Sequence, residues 1–352
     1  HHLAALGHEL AVETGAGEAC GYGDGLYREA GAQVAGKAAV LHGAGLIMKV
    51  KAPLRQEFGD YHAGQILFTF LHFDENIPAD DIRDLVASGV TGIAYEWVGG
   101  DGQYPILLPM SRLTGYLFAQ KAVELATARR RLLCGGYEPW LVPARALIIG
   151  LGTIGASVYN FCRRNGMRVT VMDKNPATVA ERLEHRFPGT GCFAPELTEL
   201  VRFSNDAPEQ AVTWLARELP GFDLVFNCAV RRPDLPKSRL EYLITEAMVR
   251  TMAPGAVLCD TTACDHDLIE TVVSSPDLDH FDTIHGVVHY NPDHIPSLVA
   301  RSSSKLLADA ALPFTERLAA FGIDALAEDP QLKNGVSCHA GHVTFRYAAE
   351  KK

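Results

Sequence analysis

Two ionisable residues follow predicted strands in the first hundred residues, where they could carry acid–base chemistry. Residues 46–50 form an apolar strand pattern that ends in Lys51, and residues 66–70 form another that ends at Leu71-His72. Histidine transfers protons near neutral pH, and lysine can pair with a carboxylate or, when desolvated, move a proton. Because sites form at the carboxyl ends of parallel strands, Lys51 and His72 are candidate catalytic residues.

A glycine pattern follows another apolar strand, at residues 146–149. Gly150, Gly152 and Gly155 give G-x-G-x-x-G, and a helical pattern continues to residue 164. In a dinucleotide site the first glycine permits a tight turn and the second lets the backbone approach a pyrophosphate. The third lets the helix pack closely on the strand. The pattern therefore predicts a dinucleotide-binding unit.

The helix and the next strand supply the other predicted cofactor contacts. The helix begins at Thr153-Ile154, where free N–H groups and a partial positive charge suit phosphates. The strand at 168–172 ends in Asp173, which is placed to accept a hydrogen bond from a ribose 2′-OH. Asp173 would repel a 2′-phosphate, so NAD is the expected cofactor, while the neighbouring Lys174 leaves NADP possible.

The elements around these residues alternate between strand and helix, which indicates a mostly parallel α/β sheet. Long helices are predicted at 109–130 and 301–321. The expected architecture is two Rossmann-like, doubly wound domains joined by these two helices, with the active site in the cleft. Residues 1–108 form the first part of a catalytic domain, 109–300 the dinucleotide-binding domain, and 301–352 the return helix and second part of the catalytic domain.

Composition narrows the class of protein. The 352 residues carry a net charge of −10, which argues against nucleic acid or an anionic membrane as a partner. No apolar run approaches the roughly 20 residues that span a bilayer. Eight scattered cysteines suggest reduced thiols and a cytoplasmic location. Small-molecule substrates and a homo-oligomer are expected. The chain opens without Met, so an N-terminal piece is expected to be missing.

Several segments resemble the alanine dehydrogenase and transhydrogenase N-terminal superfamily. The resemblance implies that Lys51 holds a substrate carboxylate and that His72 lies beside the reacting carbon. Glu96 and Ser111, in two matching segments, are assigned to substrate and cofactor respectively. The matching segments are ETGAGEA (13–19), KVKAP (49–53), GQILFTFLH (64–72), GIAYE (92–96) and PMS (109–111).

The second half departs from this resemblance. The aspartate of the family motif D-x-A-I-D-Q-G-G falls on Cys264 in DTTACDHD, so the adjacent Asp265 is the candidate replacement. The segments FNCAV (226–230) and PDHIPSL (292–298) look more like saccharopine dehydrogenases and carboxyethylornithine synthases. That likeness assigns Asn227 and Asp293 to the cofactor and His294 to the substrate. An N-terminal strand with a substrate-binding arginine would precede the first residue.

Two other groups of side chains leave alternatives open. Arg231 and Arg232 follow a predicted strand and could bind a second carboxylate, or could be a solvated basic loop. His285, His289 and His294 suggest a metal, but neither their spacing nor the resemblance supports one, so no metal is predicted. Lys49 is expected to serve its strand rather than the site.

The main hypothesis is an NAD(P)-dependent oxidoreductase that acts on a C–N bond. Saccharopine-type chemistry, the formation or cleavage of a secondary amine between an amino acid and an oxo acid, is the preferred interpretation. The first alternative is alanine dehydrogenase-type reversible deamination of a small amino acid. The second is a non-catalytic dinucleotide sensor, which the loss of D-Q-G-G would favour and the retained Lys51 and His72 oppose.

Overall fold

The structure is a computed structural model that describes residues 1–73, 77–232 and 234–344. The chain divides into two compact units. Unit 1 contains His1–Met110 and Val299–Lys352, and unit 2 contains Ser111–Leu298. These boundaries fall within two residues of the sequence-based ones, at 108 and 300. Strands and helices alternate in both units, so the predicted α/β class is confirmed.

The strands are short, and most follow the apolar runs of the sequence. β6, for example, is apolar and buried from its second residue onward. In chain order the strands are β1 (Ala11–Glu13), β2 (Gln33–Ala35), β3 (Leu46–Met48), β4 (Ile66–Thr69), β5 (Thr91–Ala94), β6 (Arg145–Ile149), β7 (Arg168–Asp173), β8 (Thr198–Arg202), β9 (Leu224–Asn227), β10 (Val257–Asp260), β11 (Asp282–Ile284), β12 (Val287–Tyr290), β13 (Val336–His339) and β14 (His342–Val343).

Two helices are much longer than the others. α5 crosses the first boundary between the units, and α10 begins just after the second. Several shorter helices, α8 and α12 among them, begin with a proline, whose missing N–H costs nothing there. The helices are α1 (His2–Ala5), α2 (Asp24–Glu29), α3 (Lys37–Gly43), α4 (Ala79–Ala87), α5 (Leu107–Arg130), α6 (Thr153–Arg164), α7 (Val179–Arg186), α8 (Pro208–Glu218), α9 (Glu246–Val249), α10 (Ala300–Phe321), α11 (Ala325–Glu328) and α12 (Pro330–Asn334).

Unit 2 is built on a seven-stranded sheet in the order β11-β12-β10-β9-β6-β7-β8. Every neighbouring pair is parallel except β11 with β12, which form an antiparallel hairpin. The strand order reverses between β6 and β9. After β6 the chain adds β7 and β8 on one side of it, and then crosses over to add β9 and β10 on the other side. In a doubly wound sheet the ligand binds beyond the carboxyl ends of the strands at this switch point.

Unit 1 contains a five-stranded sheet in the order β14-β13-β5-β4-β3 and a separate parallel pair, β1 with β2. β3, β4 and β5 are parallel, while β13 and β14 run antiparallel to their neighbours. β4 is fully buried along its length. Its carboxyl end therefore projects from a packed layer, beside the end of the edge strand β3.

In the described ranges, none of the helices combines the length and the apolar character needed to cross a membrane. α5 and α10 are long enough, but both carry charged side chains along their length. Their apolar faces contribute to the buried cores of the units.

Candidate functional site

The glycine loop of unit 2 has the geometry that dinucleotide binding requires. Gly150 has φ of +84°, which turns the chain sharply after β6. A Cβ at Gly155 would lie 2.0 Å from the carbonyl oxygen of Gly150, so only glycine permits this approach of α6 to the strand. A Cβ at Gly152 would have no atom within 4 Å. The space beside Gly152 is open, as the approach of a pyrophosphate demands.

The start of α6 is accessible at the same place. Gly152 is exposed, and Thr153 and Ile154 are partly exposed, whereas Leu151 is buried. The N–H groups of the first turn have no carbonyl partners within the helix, and the helix dipole adds partial positive charge. This arrangement fits the phosphates of a dinucleotide.

Asp173, at the end of β7, is already well supplied with hydrogen bonds. Its Oδ1 accepts from the backbone N of Asn175 at 2.8 Å and from Nη2 of Arg182 at 2.6 Å. Its Oδ2 accepts from the backbone N of Leu151 at 2.8 Å. Burial alone would raise the pKa of Asp173, but the bonds from Arg182, Asn175 and Leu151 outweigh it and lower the pKa. Asp173 is therefore ionised, and mainly Oδ2 keeps capacity for a ribose hydroxyl.

Asn227, at the end of β9, links two neighbouring strand ends. Its Nδ2 donates to Oδ2 of Asp260 at 2.7 Å, and its side chain is buried. Oδ1 of Asp260 accepts from the backbone N and the hydroxyl of Thr262, at 2.8 and 2.5 Å. Burial raises the pKa of Asp260 to about 6, in contrast to Asp173, because no cation faces it among its hydrogen-bond partners.

No role for Asp260 was predicted from the sequence, although its position after an apolar strand is the same signal that selected Lys51. The residue is 2% exposed and lies at the carboxyl edge of the sheet, two strands from the glycine loop. A carboxyl group that titrates near pH 6 at this edge belongs among the candidate site residues.

The acidic side chains of the loop after β10 accept hydrogen bonds that stabilise the loop. Asp265 is exposed, and its Oδ1 accepts from the backbone N of Ser274 at 2.7 Å. Asp267 accepts from Nε of Arg231 at 2.7 Å. Arg231 also donates to four backbone carbonyls, so its guanidinium serves the loop. Arg232 is exposed and has no ion-pair partner within the described residues. Of the two arginines, Arg232 alone is placed to meet a ligand.

The segment after β12 contains two further predicted residues. Asp293 is exposed and His294 is partly exposed, and the side chains form an ion pair with each other through Oδ1 and Nδ1. The backbone N of Asp293 donates to the carbonyl of Ser275 at 3.1 Å. Ser111, in the first half of α5, is partly buried. The roles predicted for these three residues stay predictions.

In unit 1, Lys51 and His72 follow adjacent parallel strands by the same distance. Lys51 comes three residues after the end of β3, and His72 three residues after the end of β4. The buried hydroxyl of Thr69 donates to the carbonyl of Lys51 at 2.9 Å, which ties the Lys51 segment to β4. The side chain of Lys51 is exposed, with no ion-pair partner in the described part of the chain. The exposed ammonium of Lys51, at a strand end next to that of His72, suits a carboxylate substrate.

His72 is held in an uncommon backbone conformation. Its φ is +53°, and its ring stacks on Phe70 with centroids 5.6 Å apart. Glu96, 6% exposed, accepts the backbone N–H of His72 at 2.6 Å through Oε1, and also that of Leu71 at 3.1 Å. Positive φ in a non-glycine residue is strained and persists only where the surroundings enforce it. Glu96, for which the sequence predicts substrate binding, thus contacts the turn that sets the orientation of the His72 side chain.

Lys49 occupies a different environment from Lys51, two residues away. Its ammonium forms an ion pair with the buried carboxylate of Glu57. Glu57 also accepts from Lys37 at 3.1 Å and from the backbone N of Leu54 at 3.0 Å. Although burial opposes the shift, the bonds from Lys49, Leu54 and Lys37 lower the pKa of Glu57. Lys49 therefore neutralises a buried charge that organises the loop after β3.

Each of the three histidines considered for a metal has another hydrogen-bond partner. His285 pairs with Glu246 at 2.7 Å, and His294 pairs with Asp293. Burial lowers the pKa of His289, whose Nε2 contacts the hydroxyl of Thr271 at 2.8 Å. Within the described ranges, no group of three or more histidine, cysteine or acidic side chains is arranged to hold a metal ion.

Comparison with known proteins identifies the family. The model of the alanine dehydrogenase/PNT N-terminal domain matches residues 1–114, and that of the C-terminal domain matches residues 117–346. The chain belongs to the alanine dehydrogenase/PNT family. The resemblance drawn from the sequence motifs is thereby confirmed.

Curated relatives cover nearly the whole chain. An alanine dehydrogenase from Halomonas elongata is 34% identical over 99% of this chain and 90% of its own length. An alanine dehydrogenase from Bacillus subtilis is 32% identical over 99% of this chain and 87% of its own length. These relatives confirm the predicted class of enzyme, an oxidoreductase of the amino acid dehydrogenase type. They favour the simple deamination alternative over the saccharopine-type interpretation.

Solved structures give the same picture of the fold. The chain resembles an L-alanine dehydrogenase with a TM-score of 0.79 and 26% identity, over 99% of this chain and 92% of the other. A transhydrogenase from Sinorhizobium meliloti has a TM-score of 0.72 and 23% identity, over 98% and 92% of the two chains. The first likeness confirms the predicted Rossmann-like two-domain class; the second concerns the fold alone.

Proposed function

We propose that this chain is a nicotinamide-dependent dehydrogenase that reversibly deaminates a small amino acid, with alanine as the first candidate. The observation that carries the proposal is the likeness to alanine dehydrogenases over 99% of the chain. The glycine loop with its open space beside Gly152, and the exposed Lys51 next to His72, supply the groups that such a reaction needs.

The proposed chemistry divides among named groups. NAD, when bound along the glycine loop, supplies the acceptor for the hydride that leaves the substrate Cα. Lys51 pairs with the substrate carboxylate through its exposed ammonium. His72 removes a proton from the amine, and later from the water that attacks the imine, with the turn at Glu96 fixing its orientation. Asp265 is a further candidate acid–base group, although its Oδ1 already accepts from Ser274.

The direct test follows NADH consumption with pyruvate and ammonia. Turnover that yields alanine is expected. A panel in which pyruvate or 2-oxoglutarate is combined with lysine or ornithine in place of ammonia measures the secondary-amine reaction. Turnover only in that panel would replace the proposal, and binding of NADH with no turnover in any mixture would favour a dinucleotide sensor.

The secondary-amine reaction stays as the second candidate because of Arg232. This arginine is exposed and lacks an ion-pair partner among the described residues, so it could bind an additional carboxylate. An Arg232→Ala variant should then weaken the use of a dicarboxylate amine and leave NADH binding unchanged. Unchanged kinetics with every amine would remove the support for this candidate.

Two other predictions belong with the proposal. A homo-oligomer is predicted for the enzyme, and the scattered cysteines predict a cytoplasmic location. Light scattering of the purified protein would measure the oligomeric state, and fractionation of cells that express it would test the location. A monomer with full activity would contradict the first prediction.

A further inference from the structure

Three arginines of unit 2 lie near the single carboxylate of Asp173, so the local charge is positive. Arg182 and Arg186 lie on α7, and Arg112 lies on α5. Nη2 of Arg112 donates to the carbonyl of Arg186 at 2.7 Å, and its guanidinium lies 5.5 Å from the centre of the Phe187 ring. Nη1 of Arg186 donates to the carbonyl of Arg182 at 3.4 Å. The three arginines form one contiguous group, here called the arginine cluster.

Asp173 is the one carboxylate that pairs with the arginine cluster among the described residues; its other acceptors are backbone carbonyls. The Nε atoms of Arg112 and Arg182 are buried and have no hydrogen-bond partner in the described part of the chain. Burial, together with the charges of Arg182 and Arg112, lowers the pKa of Arg186, and Asp173 opposes that shift. Lys174, adjacent to Asp173, pairs instead with Asp234. Partly desolvated cations with unused donors favour a further anionic ligand.

The cluster also lies where the ribose of a dinucleotide belongs. Arg182 donates to Oδ1 of Asp173 at 2.6 Å and, through Nη1, to the carbonyl of Leu151 in the glycine loop at 3.1 Å. The strand register places Arg202 of β8 beside Asp173. A phosphate on the ribose 2′-oxygen would therefore enter a region with several guanidinium groups and one carboxylate.

We propose that Arg182, supported by Arg186, sets the dinucleotide specificity by balancing the charge of Asp173 and binding the 2′-phosphate of NADP. The chain then accepts NADP as well as NAD. With NAD, Oδ2 of Asp173 accepts the 2′-OH; with NADP, the guanidinium fork of Arg182 turns to the phosphate. The proposal rests on the proposed function only in placing the ribose at Asp173. The sequence alone favours NAD because it shows Asp173 without its partner.

The test measures binding, independently of turnover. Isothermal titration compares ADP-ribose with 2′-phospho-ADP-ribose for the parent and for Arg182→Gln, Arg186→Gln and Arg164→Gln. Arg164 is an exposed arginine at the far end of α6, which bonds Asn160, and is the matched control. The parent is expected to bind the two ligands within about tenfold of each other, a difference of about 1.4 kcal/mol. Inorganic phosphate as a competitor distinguishes a free-phosphate site from one that needs the whole nucleotide.

Arg182→Gln and Arg186→Gln should each weaken binding of 2′-phospho-ADP-ribose by about tenfold or more, the worth of a charged hydrogen bond, and change binding of ADP-ribose by less than threefold. Arg164→Gln should change neither. Equal losses for both ligands, or a parent that prefers ADP-ribose by a thousandfold, would overturn the inference. Because Arg186 does not form an ion pair with Asp173, Arg186→Gln tests 2′-phosphate binding by the cluster even if Arg182→Gln misfolds. Failure of the parent to bind ADP-ribose at all would instead contradict the proposed dinucleotide function.

Discussion

The polar residues at the strand ends of the two units differ in how many hydrogen bonds and ion pairs they form within the protein. In unit 2, Asp173 accepts three close hydrogen bonds from the chain, and Asn227 and Asp260 bond each other. In unit 1, the ammonium of Lys51 is exposed and without an ion-pair partner in the described residues. Unit 2 is thus built to offer its backbone to a ligand, and unit 1 to offer side chains.

The two kinds of site respond differently to substitution. Where the backbone binds, a side chain matters mainly by the space it leaves, as at Gly152. Where side chains act, chemistry is lost with the group, and the surrounding turn matters through the orientation that it imposes, as at His72 and Glu96.

Replacing His72 should have the largest effect on turnover. His72→Ala is expected to lower kcat by roughly two to four orders of magnitude, the usual worth of acid–base catalysis, and to leave NADH binding intact. Stopped-flow or steady-state measurement of NADH consumption, with fluorescence titration of NADH, gives both quantities. His62→Ala, which removes an exposed histidine of the same unit, is the control and should keep full activity. An active His72→Ala enzyme would place the chemistry elsewhere, with His294 and Asp265 next to test.

Gly152→Ala, in unit 2, should weaken NADH binding and leave the catalytic side chains of unit 1 unchanged. Its methyl group enters open space, so folding should be unaffected, but it occupies the path of the pyrophosphate. The loss of one charged hydrogen bond, about 1.5–3 kcal/mol, corresponds to about 10- to 100-fold weaker NADH binding. Titration of NADH and thermal melting measure the two effects. In Gly155→Ala the methyl group would meet the Gly150 carbonyl, so that variant should lose stability as well. NADH binding by Gly152→Ala at the parent's affinity would refute the assignment.

Local sequence patterns predicted much of the fold and the backbone part of the site. The helix predicted at 109–130 runs as Leu107–Arg130, and that predicted at 301–321 runs as Ala300–Phe321. The turn at Gly150 and the close approach at Gly155 follow from the motif itself. These features depend on residues close in sequence, so a single chain is enough to see them.

Features that depend on distant partners could not be predicted. β13 pairs with β5, more than 240 residues earlier, and the exposed edge strand β8 has no apolar run to mark it. The ion-pair partners of charged side chains could not be predicted from the sequence either. Arg231 meets Asp267 across 36 residues, and Arg182 meets Asp173 from the far side of a turn. Sequence showed which groups are charged, but only the fold shows which of them are already neutralised.

Glu96→Gln should separate positioning from substrate binding in unit 1. The amide oxygen is a neutral, weaker acceptor for the N–H groups of Leu71 and His72 than the carboxylate, and the amide nitrogen cannot accept the bond that Oε2 accepts from Leu71 at 3.3 Å. If Glu96 positions His72, kcat falls about tenfold, the worth of about 1.4 kcal/mol, while KM for the oxo acid stays unchanged. The pH profile of kcat/KM should also shift. A rise in KM with unchanged kcat would instead assign Glu96 to the substrate.

The smallest expected effect concerns the pH dependence of stability and arises from Asp260. Its pKa is raised by burial to about 6, against an ordinary value of 3.8, so the folded chain holds its proton more strongly than the unfolded chain between these values. The stabilising contribution is full below the unfolded value and is lost as the pH rises through about 6. From pH 5 to 7.5 the loss amounts to about 1.4 kcal/mol, or roughly 3–6 °C in melting temperature. Asp260→Asn cannot titrate, so its melting temperature relative to the parent should rise by that amount over the same pH interval. A difference that is the same at pH 5 and pH 7.5 would mean that Asp260 is ionised throughout, like Asp173.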